Sequence, residues 1–485
     1  MSVLTARVPR PLPASAVLSW LAVVGAVLLG PLVLHNPWVV AAAVLATALA
    51  TAVFVHPPLA GYVVILTPLF AGLGRGTALP LIRPGEAVTL VVAAALLARV
   101  LLALASGDPP PTSPRRADAS VVLLVVAGSV LPVVFLVARG RSVSQDDVLY
   151  AFQILKFAVV YLIVRLSIRT DEQVGRCLRL TMLVAAVVAV IGILQALDLF
   201  GVRQALLVHY PPTDDALLES SRASSTLAHP FAMADLMVFS LAVAGAWLVR
   251  WGGRRWLAAA AALFAVGALS SGEFSGALAL VVAVTALGVL TRRLGRAMLA
   301  LLPVAVLAGV LLQPIIDDRL QGFSSPRGLP DSWLGRLQNL ENYVWPKLAS
   351  GLNWVVGVRP SARVPIGNTP APFVYIESGY TWLLWVGGIP LFVAFVVFLV
   401  TNFRATRRIA SQRDDFVAIA ATAAFVALSV VAVVTVLDAH LTLRGSGDLL
   451  FALLALAYAG TVSESRGPSP GVDGRSRVAI AETAR

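Results

Sequence analysis

A lone carboxylate, Glu377, stands in "YIESGYTWLLWVGGIP" (Tyr375–Pro390), directly before an apolar run that continues to Val400. Holding a charge at the edge of a membrane is costly. Partial desolvation there makes a carboxylate a stronger base, and a base within hydrogen-bond reach of a hydroxyl can take its proton. The competing reading is a helix N-terminal carboxylate favoured by the macrodipole. Arginine is the second chemistry-bearing type. Arg203, Arg222, Arg319, Arg327, Arg336, Arg359 and Arg363 fall in two long segments between apolar runs. Guanidinium is permanently charged and grips phosphate through two parallel hydrogen bonds, so a diphosphate near the membrane surface would need such groups. Solvated loop arginines are the ordinary alternative.

Other chemistries find no support. No phosphate-cradling glycine loop lies between a strand and a helix, and no His-Glu-x-x-His pair occurs. The histidines at 35, 56, 209, 229 and 440 are scattered without ligand spacing. The single cysteine, Cys177, excludes an intrachain disulfide. His229, in "LAHPF", reads from its local context as a capping or packing residue. Lys156, Asp235 and Glu273 fall within or beside apolar runs, where ionisable groups face a bundle interior and find partners. A Lys156–Asp235 pair is expected.

The elements that must position these residues are membrane helices. The chain is 58% hydrophobic and 13% charged, with a mean hydropathy of +0.86. A soluble domain is about half apolar and a quarter charged. Apolar runs of spanning length predict helices at 15–34, 37–55, 58–73, 85–105, 119–138, 148–167, 178–199, 228–249, 256–270, 275–291, 297–314, 374–400, 415–437 and 447–462. The expected fold is an all-α polytopic bundle of about 12–14 helices. The net charge of +12 does not indicate nucleic acid, because the arginines come as short clusters in alternate loops. These are Arg115 and Arg116; Arg169, Arg176 and Arg179; Arg250, Arg254 and Arg255; Arg292, Arg293 and Arg296; and Arg404, Arg407 and Arg408. By the positive-inside rule those loops are cytoplasmic. The N-terminus then lies inside, and 200–227 and 315–373 form long outer loops. The second has helical patterning near 331–349 and the character of a surface-lying amphipathic segment. Residues 1–462 read as one membrane domain and 463–485 as a disordered cytoplasmic tail.

Four stretches, taken in order, resemble the O-antigen ligase and O-antigen polymerase superfamily across residues 60–460. "RASSTLAHPFAMADLMVFSLA" (Arg222–Ala242) is similar to the family segment in which an Arg precedes a Ser/Gly-Thr turn, a Pro and a helix. "ALSSGEFSGALALVVAV" (Ala268–Val284) resembles the following Ser-Arg-Gly-like turn. "RLQNLENYVWPKLASGLNWVVGV" (Arg336–Val358) resembles the long-loop stretch, where an Arg is followed by a helix and a Gly-x-Gly turn. "ESGYTWLLWVGGIPLF" matches the ligase pattern of His-Asn/Ser/Gln with a spaced Gly, here Gly388. Glu377 replaces the His, Phe274 stands at the Arg of the Ser-Arg turn, and the Gly-x-Gly turn reads "GVR" at 357–359. The first departure argues against a standard lipopolysaccharide ligase.

The resemblance implies an inverting, metal-independent glycosyltransferase without a cofactor, in the bacterial cytoplasmic membrane, acting on its outer side. Its donor would be an undecaprenyl-diphosphate-linked glycan and its acceptor a glycan hydroxyl. Membrane lipid and other polysaccharide export proteins are the implied partners. Glu377 becomes the candidate base, with Arg222 and Arg336 as catalytic cations on the departing diphosphate. Arg319, His229, Ser378 and Tyr380 become substrate-binding candidates. Polymerisation of surface or exopolysaccharide repeats is the leading reading, and ligation of finished glycan to another acceptor the alternative. A lipid-linked glycan flippase is the reading of another class. It would show repeated halves and matching broken helices, and the sequence shows no internal repeat.

Overall fold

The computed structural model describes residues 37–73, 83–107, 112–212, 222–252, 255–321, 330–367 and 373–459. The expected helix at 15–34 and the tail at 463–485 lie outside these residues. The helices are α1 (Pro37–Val55), α2 (Pro58–Leu66), α3 (Pro84–Ala105), α4 (Arg116–Ala138), α5 (Gln145–Ser167), α6 (Asp171–Ala196), α7 (Val202–His209), α8 (Pro230–Trp251), α9 (Arg255–Ser270), α10 (Phe274–Leu290), α11 (Leu294–Leu311), α12 (Gln313–Gln321), α13 (Asp331–Asn339), α14 (Trp345–Ala349), α15 (Asn353–Val356), α16 (Gly379–Gln412), α17 (Phe416–Val434) and α18 (Ser446–Ala457). Among the described residues eight helices are long and apolar enough to cross a membrane. The protein is a multi-pass helical membrane protein.

Local chemistry sets the helix starts. Ser144 accepts from the Asp147 N–H at 3.2 Å while Asp147 accepts from the Ser144 N–H at 2.9 Å, which opens α5 with reciprocal caps. Thr170 and Gln173 do the same for α6. Pro58, Pro84 and Pro230 stand in first turns, where a missing N–H costs nothing.

Helices α8 and α17 form the centre. Their apolar windows are 83% and 78% buried, against 6% for α11. The alanine-rich run of α17, "FVAIAATAAFVALSVVAVV", lets neighbouring backbones approach closely. Leu299, Leu302, Val306 and Val310 of α11 stay exposed, as a lipid-facing surface requires.

The described residues are consistent with the expected all-α bundle, with one small non-helical addition. The segment between α11 and α16 contains α12 to α15 and a two-stranded antiparallel hairpin, β1 (Arg363–Pro365) and β2 (Phe373–Tyr375), with Val364 opposite Val374. The patterning near 331–349 is indeed helical, with a π turn at Leu340–Val344 between α13 and α14. Helix α16 breaks at Gly388, whose φ of 62° and ψ of −153° lie outside helical space.

The bundle has two chemically distinct ends. At one, the guanidinium of Arg250 donates to the carbonyl of Arg413 at 2.9 Å and to Thr422 Oγ1 at 3.3 Å. Arg165 donates there to the carbonyl of Tyr458, and Asp171 accepts from the Val417 N–H. Arg176 and Arg179 near the start of α6, Arg250 at the end of α8 and Arg413 after α16 share this end. The hairpin, α13 to α15 and the starts of α3, α5, α8, α10, α16 and α18 share the other.

Candidate active site

Glu377 is placed by the elements on either side of it. Ser378 is the N-cap of α16, so Glu377 lies just outside the helix. On its other side β2 is held by β1, and Ile376 is buried. The hairpin segment is clamped to the start of α5. Arg359 Nε and Nη2 donate to the two oxygens of Asp147 at 2.9 and 2.5 Å, and the Ser361 N–H adds a third bond at 3.1 Å. Asp147 is fully buried, so this bidentate pair fixes the chain leading to the site. Arg363 reaches Asp146 at 3.1 Å and lies over the Phe373 ring.

Arg336, on α13, meets two carboxylates. Its Nη1 donates to Asp438 Oδ1 at 3.0 Å, and its Nε lies 3.6 Å from Glu377 Oε1. Its guanidinium also covers the Phe231 ring, 5.5 Å from the centroid. The two carboxylates differ in access: the Glu377 side chain is 34% exposed and the Asp438 side chain 4%. Burial pushes Asp438 above the usual carboxylate range despite Arg336 and His440 beside it. Behind it, His440 Nδ1 lies 2.6 Å from Asp235 Oδ2, both buried. Burial alone would favour neutral imidazole, but Asp235 and Asp438 outweigh it and hold His440 above its ordinary value.

Arg222 starts a buried turn that precedes α8. Gln195 Oε1 accepts from the Ser224 and Ser225 N–H groups at 3.0 and 2.8 Å, and Ser225 Oγ donates to the Val188 carbonyl at 2.8 Å. Ser225 and Ala228 adopt positive φ values of 48° and 56°, a conformation non-glycine residues hold only under surrounding constraint. Arg222 Nη1 donates to Glu273 Oε1 at 3.1 Å. Glu273 is the N-cap residue of α10, in the turn where the family resemblance expects a cation. Phe274 packs edge-on against Trp333.

A cavity of about 450 Å³ gathers these residues. Glu377, Arg222, Arg336, His229, Glu273, Asp438 and Arg363 line it, as do Arg83, Glu86, Asp146, Lys156 and Arg444. Six basic side chains and five carboxylates therefore share one wall system.

Of the expected substrate contacts, His229 lines the cavity, with its ring against Phe231. Among the described residues Ser378 and Tyr380 do not line it: Ser378 occupies the N-cap position of α16, and the Tyr380 hydroxyl donates to the Ala432 carbonyl at 2.6 Å. Arg319 belongs to α12, with its side chain outside the described atoms, and Arg327 lies outside the described residues. The expected Lys156–Asp235 pair is not formed. Lys156 instead donates to Glu86 at 2.9 Å, and Asp235 takes His440. Glu86, Asp438, His440 and Arg444 are site-end residues that the sequence reading did not single out. Glu86 lies near a helix start, and Asp438, His440 and Arg444 lie in the short connection before α18, where "DAHLTLRGSGD" is the one polar cluster that could have been noticed. Among the described residues no three His, Cys, Asp or Glu side chains gather as a metal-binding group.

No family model matches the chain, and no curated protein matches it.

Proposed function

We propose that the protein is a membrane glycosyltransferase that moves glycan from a polyprenyl-diphosphate carrier to an acceptor hydroxyl, most simply in polymerising lipid-linked repeats. The observation that carries this reading is the Arg336–Glu377 pair on the wall of a cavity rich in cations. An accessible carboxylate and fixed positive charge are the two components such a transfer needs. Asp438 and Glu273 are too buried to receive an incoming hydroxyl, whereas Glu377 is open to the cavity.

In the proposed step the acceptor hydroxyl gives its proton to the Glu377 carboxylate while its oxygen attacks the anomeric carbon. The bond between that carbon and the diphosphate oxygen breaks, and the diphosphate leaves with the bonding electrons. Attack opposite the leaving group inverts the anomeric centre. Arg336 holds Glu377 in place, and Arg222 and Arg336 offset the charge that develops on the leaving group. The arginine-rich end of the bundle faces the cytoplasm by the positive-inside rule, so the cavity opens outward, where carrier-linked glycans are assembled into longer chains.

Glycan analysis of a strain lacking the gene tests the class. Accumulation of single-repeat, carrier-linked material is expected for a polymerase. Full-length carrier-linked chains would shift the reading to a ligase. Repeats trapped on the cytoplasmic leaflet would indicate a flippase and refute enzymatic transfer.

A further inference from the structure

Five ionisable groups alternate in sign from the centre of the bundle to the cavity: Asp235, His440, Asp438, Arg336 and Glu377. The first three are buried, and Glu377 is the most open of the five. Asp235 belongs to the central helix α8, and its Oδ2 lies 2.6 Å from His440 Nδ1. Among the described residues neither of these two lines the cavity. Replacing such a buried pair by well-packed apolar residues is often neutral or stabilising, so folding alone does not call for it. His440 and Asp438 stand two residues apart, and the His440 N–H donates to the Asp438 carbonyl at 3.0 Å, which fixes their spacing. Asp438 and Glu377 in turn compete for Arg336, at 3.0 and 3.6 Å. The charge on His440 biases that competition. An imidazolium shares the negative charge of Asp438 and leaves the guanidinium bridged to Glu377. A neutral imidazole leaves Asp438 to draw Arg336 inward, away from Glu377. The short turn His440–Thr442 packs against α5 and α18. The charged groups these helices bring to this end are matched elsewhere: Asp146 and Asp147 by Arg363 and Arg359, Lys156 by Glu86, and Asp448 by Arg444. His440 is left facing Asp235, Asp438 and the Val434 carbonyl, and all three favour its charged form.

We propose that Asp235 and His440 are positioning residues for the transfer: Asp235 holds His440 as an imidazolium, and the imidazolium, through Asp438, keeps Arg336 bridged to Glu377. The inference rests on the glycosyltransferase reading and adds two residues to it that touch neither substrate. Its signature is that Asp235 and His440, although opposite in charge, act in the same direction. Removing the carboxylate discharges the imidazole, so either loss leaves Asp438 unshared. Deprotonation of His440 in the intact protein has the same effect, so the rate falls on the alkaline side.

The pH profile of kcat tests this, measured by glycan transfer with purified protein in lipid at saturating donor and acceptor. Wild type is expected to give a bell, whose acid limb reports the base and whose alkaline limb reports His440. His440→Gln should lower kcat by up to about 10²-fold, the cost of a misplaced catalytic group, and lose the alkaline limb. Asp235→Asn should move that limb to lower pH, and Asp235→Glu should restore it. Asp235→Asn/His440→Gln should be no slower than His440→Gln alone, since both changes break one chain. Melting curves establish that each variant is folded, and Asp235→Asn decides the matter if His440→Gln is not. A wild-type profile without an alkaline limb, or a limb that folded His440→Gln or Asp235→Asn leaves in place, would make the pair structural only and overturn the proposal while leaving the transferase reading intact. Absence of transfer by wild type at every pH would overturn the transferase reading itself.

Discussion

Gly357 and Gly388 meet backbone to backbone, both at positive φ, 84° and 62° respectively. A Cβ on Gly388 would collide with the Val355 carbonyl, and one on Gly357 with the Val386 carbonyl. At this break in α16 the Val358 N–H donates to the Trp385 carbonyl at 2.6 Å, and Trp385 Nε1 donates to the Ser361 carbonyl at 3.0 Å. A backbone group freed by a broken membrane helix is thereby satisfied by the segment that leads into the hairpin. Arg139 supports the same segment, donating to Asn353 at 2.9 Å and to the Val358 carbonyl at 3.2 Å.

Gly388→Ala should therefore lower the melting temperature and impair transfer together. A residue forced into that backbone region costs about 1–3 kcal/mol, and the collision adds to it. Gly351→Ala is the control, since Gly351 also has positive φ but nothing within 4 Å of an added Cβ. Equal loss in both variants would show that strain alone, and not docking of the loop on α16, explains the effect.

Arg336→Ala should reduce transfer by about 10²–10³-fold, the scale of one lost electrostatic stabiliser, and Arg336→Lys should not restore it, because a point charge lacks the fork geometry. The substitution also strands the buried Asp438 carboxylate, which costs about 3–5 kcal/mol for a broken buried pair. Adding Asp438→Asn should recover stability without recovering activity. Recovery of both would make Arg336 a structural counter-ion only.

The pairings illustrate what the sequence could not convey. Hydropathy located most of the long helices, eight of which among the described residues are of spanning length, because a run of apolar residues is a one-dimensional signal. The start of α6 was placed at 178 and found at Asp171, since "DEQVGRC" is polar yet helical once Thr170 caps it. Rotation and neighbour choice are three-dimensional, so Lys156 was matched with Asp235 when its partner is Glu86, on a different helix. Glu377, Arg222 and Arg336 stood out by their order along the chain, and the structure brings the three to one cavity, with Arg336 in the last turn of α13. The hairpin was missed because three-residue strands within "RVPIGNTPAPFVY" carry no alternation long enough to read.

Two buried groups beside the cavity should each make stability fall as pH rises. Asp438 and His440 both hold their protons more tightly in the folded chain than at their ordinary values of 3.8 and 6.5. The folded state thus binds more protons, and each contribution is complete below the ordinary value and lost as pH climbs through the raised one. The His440 part gives a melting temperature that declines from pH 6.5 upward. His440→Gln should flatten that decline, and an unchanged slope would contradict the assignment.

Orientation is checked by cysteine labelling in a Cys177→Ser background. Ser350, exposed after α14, and Ser411, exposed near the end of α16, lie at opposite ends of the bundle. Ser350→Cys should react with an impermeant thiol reagent in intact cells, and Ser411→Cys only after permeabilisation. The reverse pattern would put the cavity on the cytoplasmic side.

The most direct test of the account is in vitro glycan transfer by purified Glu377→Gln in lipid, at matched folding. Gln keeps the size of the side chain and removes the basic oxygen, and loss of a general base costs about 10²–10⁴-fold. The account predicts a variant that binds carrier-linked donor and turns over at most a hundredth as fast as wild type, with partial activity in Glu377→His. A carboxylate that merely favours the start of α16 contributes only about 0.3–1 kcal/mol, and its replacement would leave transfer nearly intact. Turnover by Glu377→Gln within about threefold of wild type, far above the rate left by loss of a general base, would contradict the central claim.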